Sequence, residues 1–376
     1  MRILFAGGGT GGHLYPGLAI ARAVQRLEPA AEPFFVGARR GIERDVLPGA
    51  GFPFELLELH PLYRQRPWEN WRTLRGLTGA WRRLGALARA QRPAAVVGTG
   101  GYAAGAVLAY AARHGIPYAI QEQNSFAGLT VRAFSRWARE LYLGFPEAAA
   151  SLPPAARPRA LDTGNPIEPP PVPRPDRLAA RARWALPPDV RTVLLVFGGS
   201  QGARALNEAV AAWVAGGLPD GLALVWGTGK GSFEAFAHLE SPRVRVRAYL
   251  APIAEAYAAA DLALTRAGAM TTAELCAWGL PAVLVPLPSA AADHQTANAR
   301  ALAAAGAAVH LPQAGLSAAA LTRDVEALRA DGARLARMAA AATARARPHA
   351  AEEIARRVLA LASTPGVATV PPRALS

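Results

Sequence analysis

Two glycine-rich loops carry the clearest chemical signal in the sequence. The first, Gly7–Gly12, has glycines at positions 7, 9 and 12, in the spacing G-x-G-x-x-G, and is followed by His13. The second, Gly198–Ala203, reads GGSQGA and contains Ser200. Glycines let the backbone approach an oxygen-rich ligand, and a helix that follows presents free N–H groups and the positive end of its dipole. Both loops are therefore candidate phosphate-binding sites.

The residues after the predicted second strand leave two classes of enzyme open. A dinucleotide-binding loop requires an acidic residue at this position to bind the ribose. Here the strand ends at Val36 and Gly37 and is followed by Arg39 and Arg40, which could bind a phosphate. An NADP-dependent oxidoreductase is therefore one alternative. The second glycine loop, with Arg204 as a possible charge partner, instead favours a diphosphate with groups on both sides.

The segment RAGAMTTAE, Arg266–Glu274, predicts a third strand-to-helix turn made of small residues. We expect Glu274 in the first turn of the helix. There its carboxylate would either stabilise the helix N-terminus or accept hydrogen bonds from both hydroxyls of a ribose, and the sequence leaves both interpretations open.

A polar cluster follows the next predicted strand, Ala282–Val285. Open α/β sheets bind ligands beyond the carboxyl ends of their strands, and amide side chains both donate to and accept from sugar hydroxyls. A polar loop without a function is the alternative. The candidate residues are Asp293, His294, Gln295 and Asn298. Because the sequence has no D-x-D carboxylate pair, we do not expect a metal-chelating transferase, and no cofactor is predicted.

The elements that must position these loops occur twice. Each of the apolar segments Arg2–Ala6 and Thr192–Phe197 is followed by a glycine loop and a helical pattern, over Tyr15–Leu27 and Arg204–Val214 respectively. This is the opening unit of a doubly wound parallel sheet. Since 376 residues exceed the size of most single cores, the sequence predicts an α/β protein with two Rossmann-like domains.

A proline-rich segment separates the two units. The predicted organisation is an N-terminal domain over 1–165, a linker over 166–175, a C-terminal domain over 176–345, a helix over 346–362 that packs back on the N-terminal domain, and a disordered tail over 363–376.

Composition limits the environment and the partners. The formal net charge of +14 favours anionic partners: phosphorylated ligands, acidic lipids or nucleic acid, although no nucleic-acid-binding module is recognisable. No apolar run is long enough to span a bilayer, and the first residues do not resemble a signal peptide, so we expect a cytoplasmic protein body. The single cysteine, Cys276, excludes an internal disulfide and is expected to be a small buried residue.

An arginine-rich segment, residues 60–92, contains an apolar stripe. Eight arginines accompany one acid, and the stripe repeats every three or four residues. It would either pack on the core of its own domain or lie at the surface of an anionic membrane, which three tryptophans beside arginines favour. The stripe comprises Trp68, Trp71, Leu74, Leu77, Trp81 and Leu84, and the arginines between them are Arg72, Arg75, Arg82 and Arg83.

Four strings together resemble one family over roughly residues 1–360. They are GGGTGGHLYPGLAIA at the start, QEQNSFAGLTVRAF from Gln121, GGSQGARALN from Gly198, and RAGAMTTAELCAWGLPAVLVP with DHQTANA from Arg266 onward. In this order they resemble the MurG family, the N-acetylglucosaminyltransferases of peptidoglycan synthesis, which belong to glycosyltransferase family 28 of the GT-B superfamily.

The resemblance implies a GT-B fold, with two Rossmann-like domains facing each other across a deep cleft. It implies inverting transfer of N-acetylglucosamine from UDP-N-acetylglucosamine to undecaprenyl-diphospho-muramoyl-pentapeptide. The enzyme would lie peripherally on the cytoplasmic face of the plasma membrane, on an anionic surface. A GT-B transferase with another lipid acceptor remains an alternative.

The family's functional residues map onto this chain by motif. His13 and Glu122 are the two candidates for the base that deprotonates the acceptor. The implied contacts to the donor sugar and diphosphate are Thr10, Gly11 and Gly12, with Ser200 at the phosphates. Asn124, Gln295 and Asn298 are implied contacts to the sugar. Leu250 would contact the uracil, and Met270, Thr271 and Glu274 lie in the segment implied to bind the ribose. Two positions depart from the family pattern: Glu168 stands where an arginine is common, and Val131 where an asparagine is common.

Overall fold

A computed structural model describes residues 1–60, 68, 70–199 and 202–364, without the side chains of residues 70 and 72–75. The chain forms two compact units. Unit 1 contains Met1–Glu168 and the chain from His349 onward, and unit 2 contains Pro169–Pro348. Among the described residues, no helix is both long and apolar enough to cross a membrane.

Unit 1 is built on a parallel sheet in the order β3-β2-β1-β4-β5-β6-β7. The strands are β1 (Arg2–Gly7), β2 (Glu32–Ala38), β3 (Phe54–Leu57), β4 (Ala95–Gly100), β5 (Tyr118–Glu122), β6 (Glu140–Leu143) and β7 (Ala160–Asp162). The helices between them are α1 (Gly11–Leu27), α2 (Glu43–Val46), α3 (Asn70–Gln91), α4 (Gly101–His114) and α5 (Leu129–Phe134).

Unit 2 repeats this plan in the strand order β10-β9-β8-β11-β12-β13, again parallel. Its strands are β8 (Thr192–Phe197), β9 (Leu222–Gly227), β10 (Val244–Arg247), β11 (Leu262–Thr265), β12 (Ala282–Leu284) and β13 (Ala308–His310). Its helices are α6 (Arg177–Arg183), α7 (Arg204–Ala215), α8 (Phe233–Phe236), α9 (Ile253–Ala259), α10 (Ala269–Trp278), α11 (His294–Ala304), α12 (Ala318–Ala330) and α13 (Gly332–Ala344).

In each sheet the strand order reverses beside the first strand of the unit. The chain moves outward from β1 to β3 and returns to the other side of β1 at β4, and it does the same between β8 and β11. This reversal is where doubly wound sheets open a crevice for ligands. The predicted α/β class with two Rossmann-like folds is confirmed, and both glycine loops lie at the reversal points.

The last described helix, α14 (Ala350–Ser363), returns the chain to unit 1. It buries Ile354, Ala355 and Val358 in the same apolar cluster as residues of α1 and β1. Arg357 on this helix lies 3.4 Å from a carboxylate oxygen of Glu140 on β6. The C-terminal segment is therefore part of the core of unit 1. The predicted disordered tail lies, from residue 365 on, outside the described residues.

Candidate active site

The first glycine loop is closed around a buried carboxylate. Glu43 is completely buried, and its two carboxylate oxygens accept hydrogen bonds from the backbone N–H of Gly9 at 2.9 Å and of Ala38 at 3.0 Å. A Cβ atom added at Gly8 or Gly41 would lie 1.9 Å from a Glu43 oxygen. Positions 8 and 41 therefore require glycine, because a side chain at either would clash with Glu43. The Gly9 amide is bonded inside the protein and is not a phosphate donor in this conformation.

The three loop residues assigned to the donor lie at the start of α1. The helix begins at Gly11, four residues before the predicted start, and Thr10 precedes it as the N-cap residue. Thr10 and Gly12 are exposed, and the Thr10 carbonyl accepts from the N–H groups of His13 and Leu14. Because the first N–H groups of a helix have no acceptor within it, this end of α1 can bind an anion.

His13 lies in the first turn of α1, and its ring is held by two neighbouring segments. Its Nδ1 is 2.9 Å from Oε1 of Gln123, which follows β5. The ring packs against Gly100, where an added Cβ would lie 2.9 Å from Nδ1. The Thr99 hydroxyl donates to the His13 carbonyl at 2.7 Å. The imidazole is half-buried, so its orientation is determined by the protein while part of it faces solvent.

The second candidate base, Glu122, has a structural role instead. Its side chain is only 3% exposed. One carboxylate oxygen accepts from the backbone and side-chain N–H groups of Asn124, at 2.9 and 3.2 Å, and the other accepts from the Gly128 N–H at 2.8 Å. Because both oxygens are bonded and buried, Glu122 positions the loop that carries Asn124. These hydrogen bonds favour His13 over Glu122 as the candidate base.

A tyrosine that the sequence analysis missed completes this part of unit 1. The ring of Tyr102, in the first turn of α4, covers Gly9 so closely that a Cβ there would lie 2.7 Å from a ring carbon. Gly100 and Gly101, which precede Tyr102, both have positive φ angles of 94° and 76°. The only sequence signal was the string GTGGY, a further strand-to-helix turn made of small residues.

The second glycine loop leads from β8 into α7 in unit 2. Ser200, the predicted phosphate contact, lies outside the described residues. Gly202 has φ of 75°, and an added Cβ there would lie 2.2 Å from the Thr228 carbonyl oxygen, so this position requires glycine. Arg204, the possible charge partner, is exposed at the start of α7 and pairs with Glu208 at 2.7 Å.

Glu274 lies on α10, but not where the sequence analysis expected it. The helix begins at Ala269, which puts Glu274 in the second turn, and no acidic residue lies in the first. The interpretation as a helix N-terminal residue is therefore wrong. The Glu274 carboxylate, which is half-buried, accepts a hydrogen bond of 2.7 Å from the hydroxyl of buried Tyr257 on α9. Burial, followed by the nearby carboxylate, raises the pKa of Tyr257 well above its usual value, so the hydroxyl stays a donor.

The first turn of α10 holds two further candidates and is supported by a buried arginine. Met270 and Thr271 are half-buried at this helix end. Arg266, which the sequence analysis did not single out, donates to the carbonyls of Val285 and Pro286 at 3.1 Å and to Oε1 of Gln313 at 2.7 Å. Burial lowers its pKa from the ordinary arginine value. Arg266 thus joins the ends of β11 and β12.

The polar cluster after β12 separates into different environments. Gln295 is half-buried in the first turn of α11, and its Oε1 accepts from the Leu287 N–H at 2.9 Å. Asn298 is completely buried and donates to the Ala267 carbonyl at 3.1 Å. A buried amide cannot contact a ligand in this conformation, so Asn298 positions the turn before α10. Asp293 is exposed and His294 half-buried at the start of α11.

Leu250, the predicted uracil contact, directly follows Tyr249 and lies three residues after the end of β10. Its side chain is 5% exposed and packs over Gly227, where an added Cβ would lie 2.9 Å from Leu250 Cγ. Tyr249 is 57% exposed. With its side chain in the core, Leu250 can offer a nucleotide only its backbone, which is the role implied for it.

The tryptophan stripe does not form a single buried face. Trp68 precedes α3 and is 72% exposed, Trp71 is 56% exposed and Trp81 is 37% exposed. Leu84, by contrast, is buried in the core with Ala80 and Leu87. The alternative that the stripe packs on the core of its own domain therefore holds for Leu84, whereas Trp68 and Trp71 lie outside that core.

The basic residues around the stripe are only partly described. Arg82 and Arg83 are exposed, and Arg83 forms an ion pair with Glu55. The side chains of Arg72, Leu74 and Arg75 lie outside the described residues. Beside α3 a cavity of about 890 Å³ is lined partly by Trp71, Arg83, Arg39 and Arg40. Arg39 and Arg40, the arginines considered for an NADP phosphate, therefore both lie at this cavity.

Two doubly wound sheets with glycine loops at their reversal points are consistent with the GT-B fold of glycosyltransferases, and comparisons with known proteins identify the family. Residues 3–143 match the glycosyltransferase family 28 N-terminal domain, and residues 193–354 match the glycosyltransferase family 28 C-terminal domain. The chain belongs to glycosyltransferase family 28.

Similar proteins from several bacteria share one name, UDP-N-acetylglucosamine--N-acetylmuramyl-(pentapeptide) pyrophosphoryl-undecaprenol N-acetylglucosamine transferase. The protein from Salinibacter ruber is 45% identical over 96% of each chain, and that from Moorella thermoacetica is 40% identical over 96% of this chain and 98% of its own. The crystal structure of Acinetobacter baumannii MurG has a TM-score of 0.76 at 29% identity and covers 96% of this chain and 99% of its own. This membership overturns the oxidoreductase alternative.

Proposed function

We propose that this protein transfers N-acetylglucosamine from UDP-N-acetylglucosamine to undecaprenyl-diphospho-muramoyl-pentapeptide, with inversion at the anomeric carbon. The observation that carries this proposal is the similarity over nearly the whole chain to relatives named for this transfer. In the reaction, an acceptor hydroxyl attacks the anomeric carbon, the bond from that carbon to the UDP oxygen breaks, and the hydroxyl proton passes to a base.

Unit 2 is proposed to bind the nucleotide. A carboxylate accepts up to about four hydrogen bonds, so Glu274 can accept from ribose hydroxyls while Tyr257 remains bonded to it. The backbone at Leu250 is proposed to contact the uracil, and the loop with Ser200 the phosphates. Met270, Thr271 and Gln295 line the same ends of the sheet and are proposed donor contacts. Free N–H groups at helix N-termini stabilise the charge that develops on the departing UDP.

Unit 1 is proposed to supply the base. His13 is the candidate we favour, since both oxygens of the Glu122 carboxylate already accept hydrogen bonds from Asn124 and Gly128. Asn124, Thr10, Gly11 and Gly12 are proposed to contact the sugar and diphosphate from the neighbouring turns.

We further propose that the exposed face of α3 binds an anionic membrane surface, which makes the enzyme peripheral at the cytoplasmic face of the plasma membrane. Trp68, Trp71 and Trp81 would enter the interfacial region while Arg82 and Arg83 contact the lipid phosphates. The lipid-linked acceptor is confined to that surface, so the association brings enzyme and acceptor together.

The experiment that tests the reaction is a transfer assay with a soluble, short-chain analogue of the acceptor and a panel of UDP-, GDP- and TDP-sugars. We expect a disaccharide product only with UDP-N-acetylglucosamine. A product with another nucleotide sugar, or no product with an acceptor that a characterised relative accepts under the same conditions, would refute the proposed function.

A further inference from the structure

The buried amide of Gln123 can be oriented in only one way. Gln123 is 2% exposed, and its Nε2 donates to the backbone carbonyls of Thr99 at 2.8 Å and Gln121 at 3.2 Å. It also donates to the side-chain Oε1 of Gln121. Reversing the amide would place its oxygen against these oxygens, none of which can donate. Oε1 of Gln123 must therefore be the atom that faces His13.

The neighbouring amides support the same orientation. Nδ2 of Asn165 donates to the Gln123 carbonyl at 2.9 Å, and its Oδ1 accepts from Nε2 of Gln121 at 3.1 Å. With its Nε2 used in this way, Gln121 can offer only Oε1 to Gln123. All three side chains are buried. The direction of each hydrogen bond thus follows from a backbone carbonyl, which can only accept.

The last bond in this series determines the tautomer of His13. Since Oε1 of Gln123 can only accept, Nδ1 of His13 must donate across the 2.9 Å contact. A neutral imidazole with its proton on Nδ1 has its lone pair on Nε2. We infer that Gln123 is a positioning residue for the proposed transfer reaction: it holds His13 in the Nδ1–H tautomer, so that Nε2 receives the proton of the acceptor hydroxyl.

The surroundings of the ring fit this assignment. Gly100 and Gly101 lie against Nδ1, Cε1 and Cδ2 of His13, and among the described residues none is hydrogen-bonded to Nε2. The titratable groups on neighbouring elements form hydrogen bonds or packing contacts with residues other than His13. Glu43 accepts from Gly9 and Ala38, Glu122 accepts from Asn124 and Gly128, and the Tyr102 ring covers Gly9.

An amide partner differs from a carboxylate in one respect that can be measured. A carboxylate hydrogen-bonded to Nδ1 would also stabilise the imidazolium electrostatically, and an opposite charge at this distance typically shifts a pKa by about 1–3 units. A neutral amide fixes the tautomer and adds no charge. A carboxylate at position 123 would also set its second oxygen against the carbonyl oxygens that Nε2 now contacts, so we expect Gln123→Glu to lower the melting temperature rather than to replace the amide.

The direct test is the ¹⁵N NMR signature of His13, assigned by comparison with His13→Ala. In the wild-type protein at a pH where His13 is neutral, we expect protonated Nδ1 and unprotonated Nε2. In Gln123→Leu we expect a mixture of tautomers and a kcat at least about 10-fold lower, with the KM for UDP-N-acetylglucosamine unchanged. A wild-type spectrum with the proton on Nε2 would overturn the inference.

The matched control is Gln121→Leu, which removes a buried amide of the same network that does not touch His13. We expect it to lower the melting temperature as Gln123→Leu does but to retain the wild-type tautomer and pH profile. Equal effects of both substitutions on the tautomer would show that Gln123 acts only through folding. If Gln123→Leu does not fold, the tautomer seen in the wild-type spectrum still tests the inference. The spectrum is independent of activity, so it can succeed even if the proposed function fails.

Discussion

Simultaneous replacement of Trp68, Trp71 and Trp81 by serine tests how the protein reaches its acceptor. These side chains are 72%, 56% and 37% exposed, so together they present to solvent the equivalent of about one and two-thirds tryptophans. At about 200 Å² per side chain, this is about 330 Å² of largely apolar surface. The variant should therefore lose membrane affinity while its fold is preserved.

The size of the effect follows from that area. If half of it enters the membrane interface at about 25 cal/mol per Å², the tryptophans contribute about 4 kcal/mol, or about 1,000-fold in the partition coefficient. Each arginine near the surface adds about 1 kcal/mol, which salt screens. The folded state should lose little, because Trp68 and Trp71 are more than half exposed and the edge-to-face packing of Trp81 on Tyr110 at 5.2 Å is worth about 1 kcal/mol.

The assay is co-sedimentation with vesicles that contain anionic phospholipid, at low and high salt, alongside transfer to a soluble short-chain acceptor. We expect about 1,000-fold weaker binding, loss of the remainder at high salt, and unchanged transfer to the soluble acceptor. Leu178→Ser is the matched control, since Leu178 in unit 2 is 73% exposed. Unfolding of the triple variant, or vesicle binding equal to wild type, would refute the reasoning.

Two further substitutions test the proposed roles in the two units. Glu274→Ala should raise the KM for UDP-N-acetylglucosamine by about 10- to 150-fold, the equivalent of about 1.5–3 kcal/mol for hydrogen bonds to a charged group, and change kcat much less. Unchanged UDP affinity, measured by calorimetry, would remove Glu274 from the ribose site. His13→Ala should lower kcat by about 100-fold or more and leave UDP binding intact, and near wild-type turnover in single-turnover kinetics would contradict a role as the base.

The parts of the fold that could be predicted are those with long, apolar or glycine-marked segments. β8 was predicted with its observed bounds, and α7 within one residue, because a fully buried strand between turn signals is distinctive. The short strands β3, β6, β7 and β13 were missed. They have only three or four residues, with partly exposed side chains at or near the sheet edges, and pairing with a neighbour rather than local sequence determines them.

In the candidate site, spacing predicted which segments carry polar groups but not which way those groups point. Glu122 and Asn298 have the chemistry of site residues, yet both are buried and bonded to backbone or loop atoms. Glu43 had no sequence signal at all, since its partner amides at Gly9 and Ala38 come from two other segments. Burial and hydrogen-bond direction arise only once those segments are packed together.

The segment Glu122–Asn124, which reads EQN, shows how adjacent residues of one motif can serve different parts of a site. Successive side chains at the end of a strand point to opposite sides, so Gln121 and Gln123 meet each other while Glu122 points away. On one side Gln123 bonds to His13, and on the other Glu122 accepts from Asn124 and Gly128 and shapes the following loop. The same three residues therefore orient a proposed base and hold a proposed sugar contact. Because the two tasks use opposite sides of β5, substitutions on either side should affect them separately.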